Sequence, residues 1–421
     1  MQNKVKKDLN EAIDRVEQKI GTDMRYVIKG GFWLTSSKVI TAVASLITSI
    51  AFANLLPESD YGFYRYILSF VSIFTIATLS GIDIALVRSI GQGFSGSFTG
   101  LLKTKIKWGL LGGLLSIIFS VYYFLNHNID LAIGFIIVGI FIPFFDSFYI
   151  YMSYLNGIKR YDIYNKYHLI TKVLVVITLL LTVFYTKNIL FIIFVYFFVH
   201  TLLRGIFAFT IIIKNKFESK QADKELISFG KHLTFMKILG IISTSIDKIL
   251  VFHYLGAVAL AGYYVALVPF KQIQGVLGSL NVLALPKFSS NNNLEEIKKT
   301  LPKKVLKSYI FIIPMIIVYI LLADYAFTLI YPKYMEFVGI SKIFMILIIF
   351  FPLTLFNTAL TAMAKKKELY FLSTLSAIVR IVLLLILVPM FGLIGAIGSI
   401  IITNAVSGLS NGYVFLKKTT A

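Results

Sequence analysis

The sequence contains no cysteine, which removes disulfides, thiolate metal sites and cysteine nucleophiles. Charged residues fill only 14% of its 421 positions, against roughly 25% in a soluble globular chain. Acids are the scarcer sign, with 20 Asp and Glu against 41 Lys and Arg, for a net charge of +21. The sequence has no Walker A loop, no HExxH and no DxD, so P-loop hydrolysis and zincin chemistry have nothing to rest on. GQGFSG at 91–96 fits the GxGxxG spelling, but it follows an apolar helical stretch rather than a strand, and it reads as a flexible loop. Long polar segments are missing too, so no loop is large enough for a catalytic domain. Residues 1–29 are dense in charge and lack the apolar core of a cleavable signal peptide.

What remains is apolar. Hydrophobic residues make up 57% of the chain, including 37 Phe and 24 Tyr against two Trp. A bilayer core takes about 20 apolar residues per helix. Twelve such stretches are expected, near 31–54, 62–86, 108–126, 130–154, 168–186, 188–213, 227–255, 258–285, 305–330, 338–363, 369–388 and 392–416. The fold class is therefore all-α and integral to a membrane, because helices satisfy their own backbone in lipid. Loop cations collect on one side. Lys4, Lys6, Lys7, Lys103, Lys105, Lys107, Lys159, Arg160, Lys214, Lys216, Lys298, Lys299, Lys303, Lys304 and Lys365–Lys367 fall in the even-numbered loops and tails, while the opposite loops hold only Lys187 and Lys333. The positive-inside rule places both termini in the cytoplasm, and it accounts for the basic excess without nucleic acid. Val5, Leu9, Ala12, Ile13, Val16, Ile20 and Met24 share one helical face, which suits a helix lying on the inner leaflet or a solvated cytoplasmic one.

An ungapped repeat appears at an offset of 200. Phe52, Leu55, Gly62, Tyr64 and Phe70 match Phe252, Leu255, Gly262, Tyr264 and Phe270. Both segments join the first and second helices of a six-helix half, so the repeat is parallel, a build common in transporters whose site lies between halves. The expected divisions are an amphipathic segment at 1–29, an N-lobe at 30–213, a linker at 214–226, a C-lobe at 227–416 and a tail at 417–421. Pseudo-two-fold symmetry would leave a central cavity between the lobes.

Ionisable side chains at mid-membrane cost about 2.5–3.5 kcal/mol each and usually face an aqueous interior. The basic candidates are Lys38, Arg65, Lys172, Arg204, Lys237, Lys248, Lys271 and Arg380, and the acids are Asp83, Asp146 and Asp247. At about 100° per residue, Lys237, Thr244 and Lys248 align, as do Lys38, Ser45 and Ser49, and as do Arg65, Ser72 and Asp83. Competing readings are structural: Lys172 snorkelling, Asp247 in a local pair with Lys248, Asp146 paired with Arg204 or bonded to backbone, and His200 simply packed. Gly109–Gly113 reads as a small-residue helix contact.

LLPESDYGFY at 55–64, after GGFWL at 30–34, resembles the start of polysaccharide transporter family proteins. DKILVFHYLGAVALAGYYVA at 247–266 resembles the start of their second lobe, and GLIGAIGSII at 392–401 their last helix. These are the O-antigen-unit flippases of the multidrug/oligosaccharidyl-lipid/polysaccharide exporter superfamily. The resemblance implies two six-helix bundles that move an undecaprenyl-pyrophosphate-linked oligosaccharide, the unit of O-antigen or capsule, to the outer leaflet by alternating access. It implies a multi-pass protein of the cytoplasmic (inner) membrane and a cationic cavity carried here by Lys38, Lys237, Lys248 and Lys271, with Arg65, Arg204 and Arg380 as further candidates. No metal, cofactor or enzymatic activity is expected. Proton or sodium coupling through Asp83, Asp146 or Asp247 stays open. A monomer is expected, its partners being the lipid-linked oligosaccharide, membrane lipids and enzymes of polysaccharide assembly. The alternatives are a cation-coupled drug exporter on the same fold, which would depend on Asp83 or Asp247, and, less favoured, a polytopic glycosyltransferase or polymerase.

Overall fold

The computed structural model describes residues 24–215, 223, 225–289 and 294–418. The amphipathic stretch expected before Met24 lies outside the described residues, as does most of the linker after Asn215. Every element described is helical. In chain order these are α1 (Met24–Leu55), α2 (Glu58–Phe74), α3 (Gly81–Gly91), α4 (Phe98–Leu125), α5 (Ile129–Phe145), α6 (Ile150–Gly157), α7 (Tyr161–Tyr185), α8 (Ile189–Asn215), α9 (Leu226–Ser289), α10 (Leu294–Ile330), α11 (Val338–Ile346), α12 (Thr354–Ala362) and α13 (Lys366–Lys418), with short 3-10 turns around α11 and between α5 and α6. Eight helices among the described residues are long and apolar enough to cross a membrane. The chain is a multi-pass membrane protein.

Two long helices reverse direction at glycines. Gly256 in α9 has φ 85° and Gly392 in α13 has φ 57°, values that a side chain rarely tolerates. Each glycine divides its helix into two arms, matching the expected boundaries near 256 and 391. Shorter polar breaks are held by side chains: Asn128 accepts from the Leu131 amide and Asn188 from the Phe191 amide, both N-terminal caps. The GxGxxG spelling at 91–96 closes α3 and forms the turn before α4, as a loop should. GLSNG at 408–412, which spells a nucleophile elbow, lies inside α13 and not on a strand-to-helix turn.

Small residues let α4 and α5 approach closely. A Cβ on Gly113 would lie 2.7 Å from the Gly139 carbonyl oxygen, and one on Gly109 would lie 2.8 Å from Pro143 Cα. Ser116 and Ser120 donate across the same seam to the Phe135 and Ala132 carbonyls at 2.7 and 2.8 Å. Gly113→Val should therefore destabilise the fold by about 1–3 kcal/mol through overpacking, read as a lower unfolding temperature in detergent.

Two interruptions shape the interior. The chain turns at 75–80 between α2 and α3, with Leu79 at φ 63°. α5 carries Pro143, which cannot donate to its own helix, and it ends two residues later, before a 3-10 turn at Ser147–Tyr149. The break between α2 and α3 changes a sequence expectation. Arg65, Ser72 and Asp83 do not share one helical line, because the 100° register stops at Phe74 and restarts at Gly81.

Candidate functional site

Three groups of charges lie inside the helical body, each built differently. The first surrounds Arg65 on α2. Its Nη2 donates to the Tyr61 hydroxyl at 3.0 Å, and its guanidinium lies 3.6 Å from the centroid of the Tyr264 ring, across the chain's midpoint. Tyr61 meets Ser49 Oγ at 3.1 Å. Arg65 borders a cavity of about 140 Å³ with Lys172, His200, Ser45 and Thr48. No carboxylate pairs with Arg65 or Lys172 among the described residues. Arg65 Nε is buried without a partner, as is His200 Nδ1. Lys172 lines that cavity, and His200 is packed against Tyr196 and Phe145 as well as lining it.

The second group lies in the C-terminal half. Asp247 accepts from Lys248 Nζ at 2.9 Å, from Arg380 Nη2 at 3.2 Å and from the Tyr263 hydroxyl at 3.0 Å. Lys248 Nζ also donates to the Thr244 carbonyl. Lys271, Gln274 and Asn404 complete a cavity of about 60 Å³ around them. Three cations against one carboxylate leave two positive charges uncompensated. A neighbouring cavity of about 80 Å³ shares Gln274 and Asn404 and adds Thr354, Ser407 and Asn411, uncharged donors and acceptors set among Phe, Leu and Ile side chains. Sequence reading of the Asp247–Lys248 pair as local holds, with Arg380 as a second partner.

The third group is an ion triad. Lys105 Nζ reaches both Asp83 oxygens at 2.9 Å and Asp146 Oδ2 at 3.2 Å, and the Thr78 hydroxyl donates to Asp146. The helix breaks place Thr78 and Asp146 here. Lys105, expected in a basic inner loop, is instead fully buried on α4. A signal existed: two residues along a helix is about 200°, so Lys105 faces away from Lys103 and Lys107, which are exposed. Arg204 does not pair with Asp146. Its Nη1 donates to the Phe145 carbonyl at 2.6 Å and its guanidinium lies 4.2 Å from the Phe145 ring, since Lys105 and Thr78 already occupy that carboxylate.

Lys237, aligned with Lys248 in sequence, lies apart from it and borders a larger, mostly apolar cavity. The Lys38 side chain lies outside the described residues. Asp324 lies within α10 and accepts from Lys342 at 2.6 Å.

The halves meet at both ends. At the end bearing Pro57, a Cβ on Gly62 would lie 1.8 Å from the Ala257 carbonyl oxygen, Tyr66 stacks on Phe252 at 3.8 Å, Asn54 donates to the Ile330 carbonyl and Lys333 to the Asn54 carbonyl at 2.8 Å. At the basic end, the Gly81 amide donates to Thr234 Oγ1 at 2.9 Å, and a Cβ on Gly230 would lie 2.6 Å from Ile82 Cγ1. The repeat positions have diverged: Gly62 abuts the other half, whereas Gly262 accommodates the Phe337 ring of its own.

Comparison with known proteins agrees with this architecture. The model of the family described as polysaccharide biosynthesis protein matches residues 27–292. The chain belongs to that family. An uncharacterized membrane protein of Methanocaldococcus jannaschii, MJ1068, is 27% identical over 124 residues, which is 29% of this chain and 22% of that protein. The chain therefore spans about a fifth of that relative. Among solved structures, the lipid II flippase MurJ in an inward closed conformation superposes with a TM-score of 0.70 at 17% identity, covering 90% of this chain and 87% of that one. An inward-facing multidrug resistance MATE family transporter of the MOP superfamily gives 0.56 at 13% identity, covering 90% and 96%. At such identities the likeness is one of fold.

Proposed function

We propose that the protein flips an anionic, lipid-linked oligosaccharide from the inner to the outer leaflet of the cytoplasmic membrane. Twelve spans form two six-helix lobes, with both termini and the basic loops in the cytoplasm. Alternating access then opens the basic end inward and the Pro57 end outward. The observation that carries this reading is the pair of cation-rich cavities, one around Arg65 and Lys172 and one around Lys248, Lys271 and Arg380, which face a single carboxylate between them. Uncompensated cations in a low-dielectric cavity suit a diphosphate linkage, and the adjoining Thr354, Ser407 and Asn411 wall suits sugar hydroxyls. Undecaprenyl pyrophosphate is the proposed carrier, and an O-antigen or capsule unit the proposed cargo, as the sequence resemblance implies.

The drug-exporter reading has less support. Asp83, Asp146 and Asp247 are all held by bases, so none is free to take up a cationic drug. We propose a transporter without cofactor, not an enzyme. Moving two negative charges outward down 100 mV gains roughly 4.6 kcal/mol, so the potential can drive transport without a coupling ion.

Ligand-dependent stability separates the two readings. In lipid nanodiscs, polyprenyl pyrophosphate at about a hundred times its dissociation constant should stabilise the protein by about 2.7 kcal/mol. Lys271→Glu with Arg380→Gln should remove that gain. A lipophilic cation that stabilises the wild type equally well would overturn the assignment.

A further inference from the structure

Beside the closed basic end lies a cavity that no charge group above uses. Its volume is about 460 Å³, within the usual range for a small-ligand site. Leu233, Met236 and Ile241 of α9 and Ile84 of α3 supply apolar walls, while Tyr370 and Thr374 of α13 supply polar ones. Lys237 is the one ionisable base on it. Among the described residues Lys237 has no ion pair, and Asp83, the acid that feels its charge, is already engaged by Lys105. Gly240 also faces the cavity, and a Cβ there would meet nothing within 4 Å.

We propose that this cavity seats the first isoprene units of the polyprenyl substrate, with Lys237 holding the phosphate joined to them; this rests on the flippase reading. An apolar trough carrying a single unpaired cation matches a lipid of one long chain and an anionic head. Its walls come from both halves of the chain, one turn from the Gly81–Thr234 contact. An occupant therefore wedges at the contact that must open for loading. A bystander phospholipid would have no need to bridge the halves.

The test uses the full-length protein in nanodiscs and a diazirine-bearing polyprenyl pyrophosphate, with crosslinks mapped by mass spectrometry. Wild type should label within 233–241 and 370–374. Gly240→Phe, which starts a ring into the cavity from a position where an added Cβ meets nothing within 4 Å, should reduce that labelling by at least about tenfold, and Lys237→Gln should also reduce it. Unlabelled polyprenyl pyrophosphate should compete and phosphatidylglycerol should not. Equal competition by phosphatidylglycerol, or undiminished labelling in Gly240→Phe that elutes as folded protein, overturns the proposal. Labelling confined to the Arg65 cavity overturns it while the flippase reading stands. No labelling anywhere, together with no translocation by wild type, overturns both.

Discussion

Lys105→Met should cost about 3–5 kcal/mol of stability and leave little folded protein in the membrane. The substitution nearly preserves side-chain volume, so the loss is electrostatic. It strands Asp83 and Asp146 in the helical interior, where Lys105 is their common partner. The triad joins three helical segments: Asp83 opens α3, Lys105 lies on α4 and Asp146 follows α5. The triple variant Asp83→Asn, Lys105→Met, Asp146→Asn removes the charges together and should recover most of the loss, because a buried ion network can be replaced by neutral groups at little cost. Unfolding of detergent-purified single and triple variants checks this. Equal stability of Lys105→Met and wild type would mean that the acids find other partners.

Locking the basic end should stop turnover. Gly230 and Ile82 are close enough that an added Cβ lies 3.0 Å from Ile82 Cα, and replacing Ile82 removes the 2.6 Å clash with its side chain. A disulfide needs Cβ atoms about 3.5–4.5 Å apart, so Ile82→Cys with Gly230→Cys should crosslink on oxidation. The absence of native cysteine makes the pair clean. Oxidised protein should lose transport to background, at least about tenfold, and regain it with reductant, since the proposed alternating access requires this contact to open. At the opposite end, Gly62→Leu should also impair transport, because the Ala257 backbone leaves no room for a side chain and that end could no longer close.

Much of the fold was legible because lipid imposes one rule. Helices with satisfied backbones must cross it, and the reversals at Gly256 and Gly392 fall where hydropathy broke. The site was legible in its residue types more than in its grouping. Lys248, Lys271, Arg380 and Asp247 do converge. Periodicity misleads where helices break: the line from Arg65 to Asp83 crosses the turn at 75–80. Lys105 was hidden among surface lysines, and only the 200° step from Lys103 marks it. Arg204 was matched to the nearest free acid by inference, yet Asp146 is taken by Lys105 across a helix pair whose approach depends on Gly109 and Gly113. Such pairings depend on tertiary distances that hydropathy does not carry.

The most direct measurement is translocation of a fluorescent polyprenyl-pyrophosphate oligosaccharide by purified protein in liposomes, with the membrane potential imposed. Wild type should move the lipid, faster when the cytoplasmic side is negative. Arg65→Ala and Lys271→Ala should each slow it by about tenfold or more, a loss of about 1.4 kcal/mol, while remaining folded. No movement by wild type, or unchanged rates in both variants, would contradict a cationic-cavity flippase.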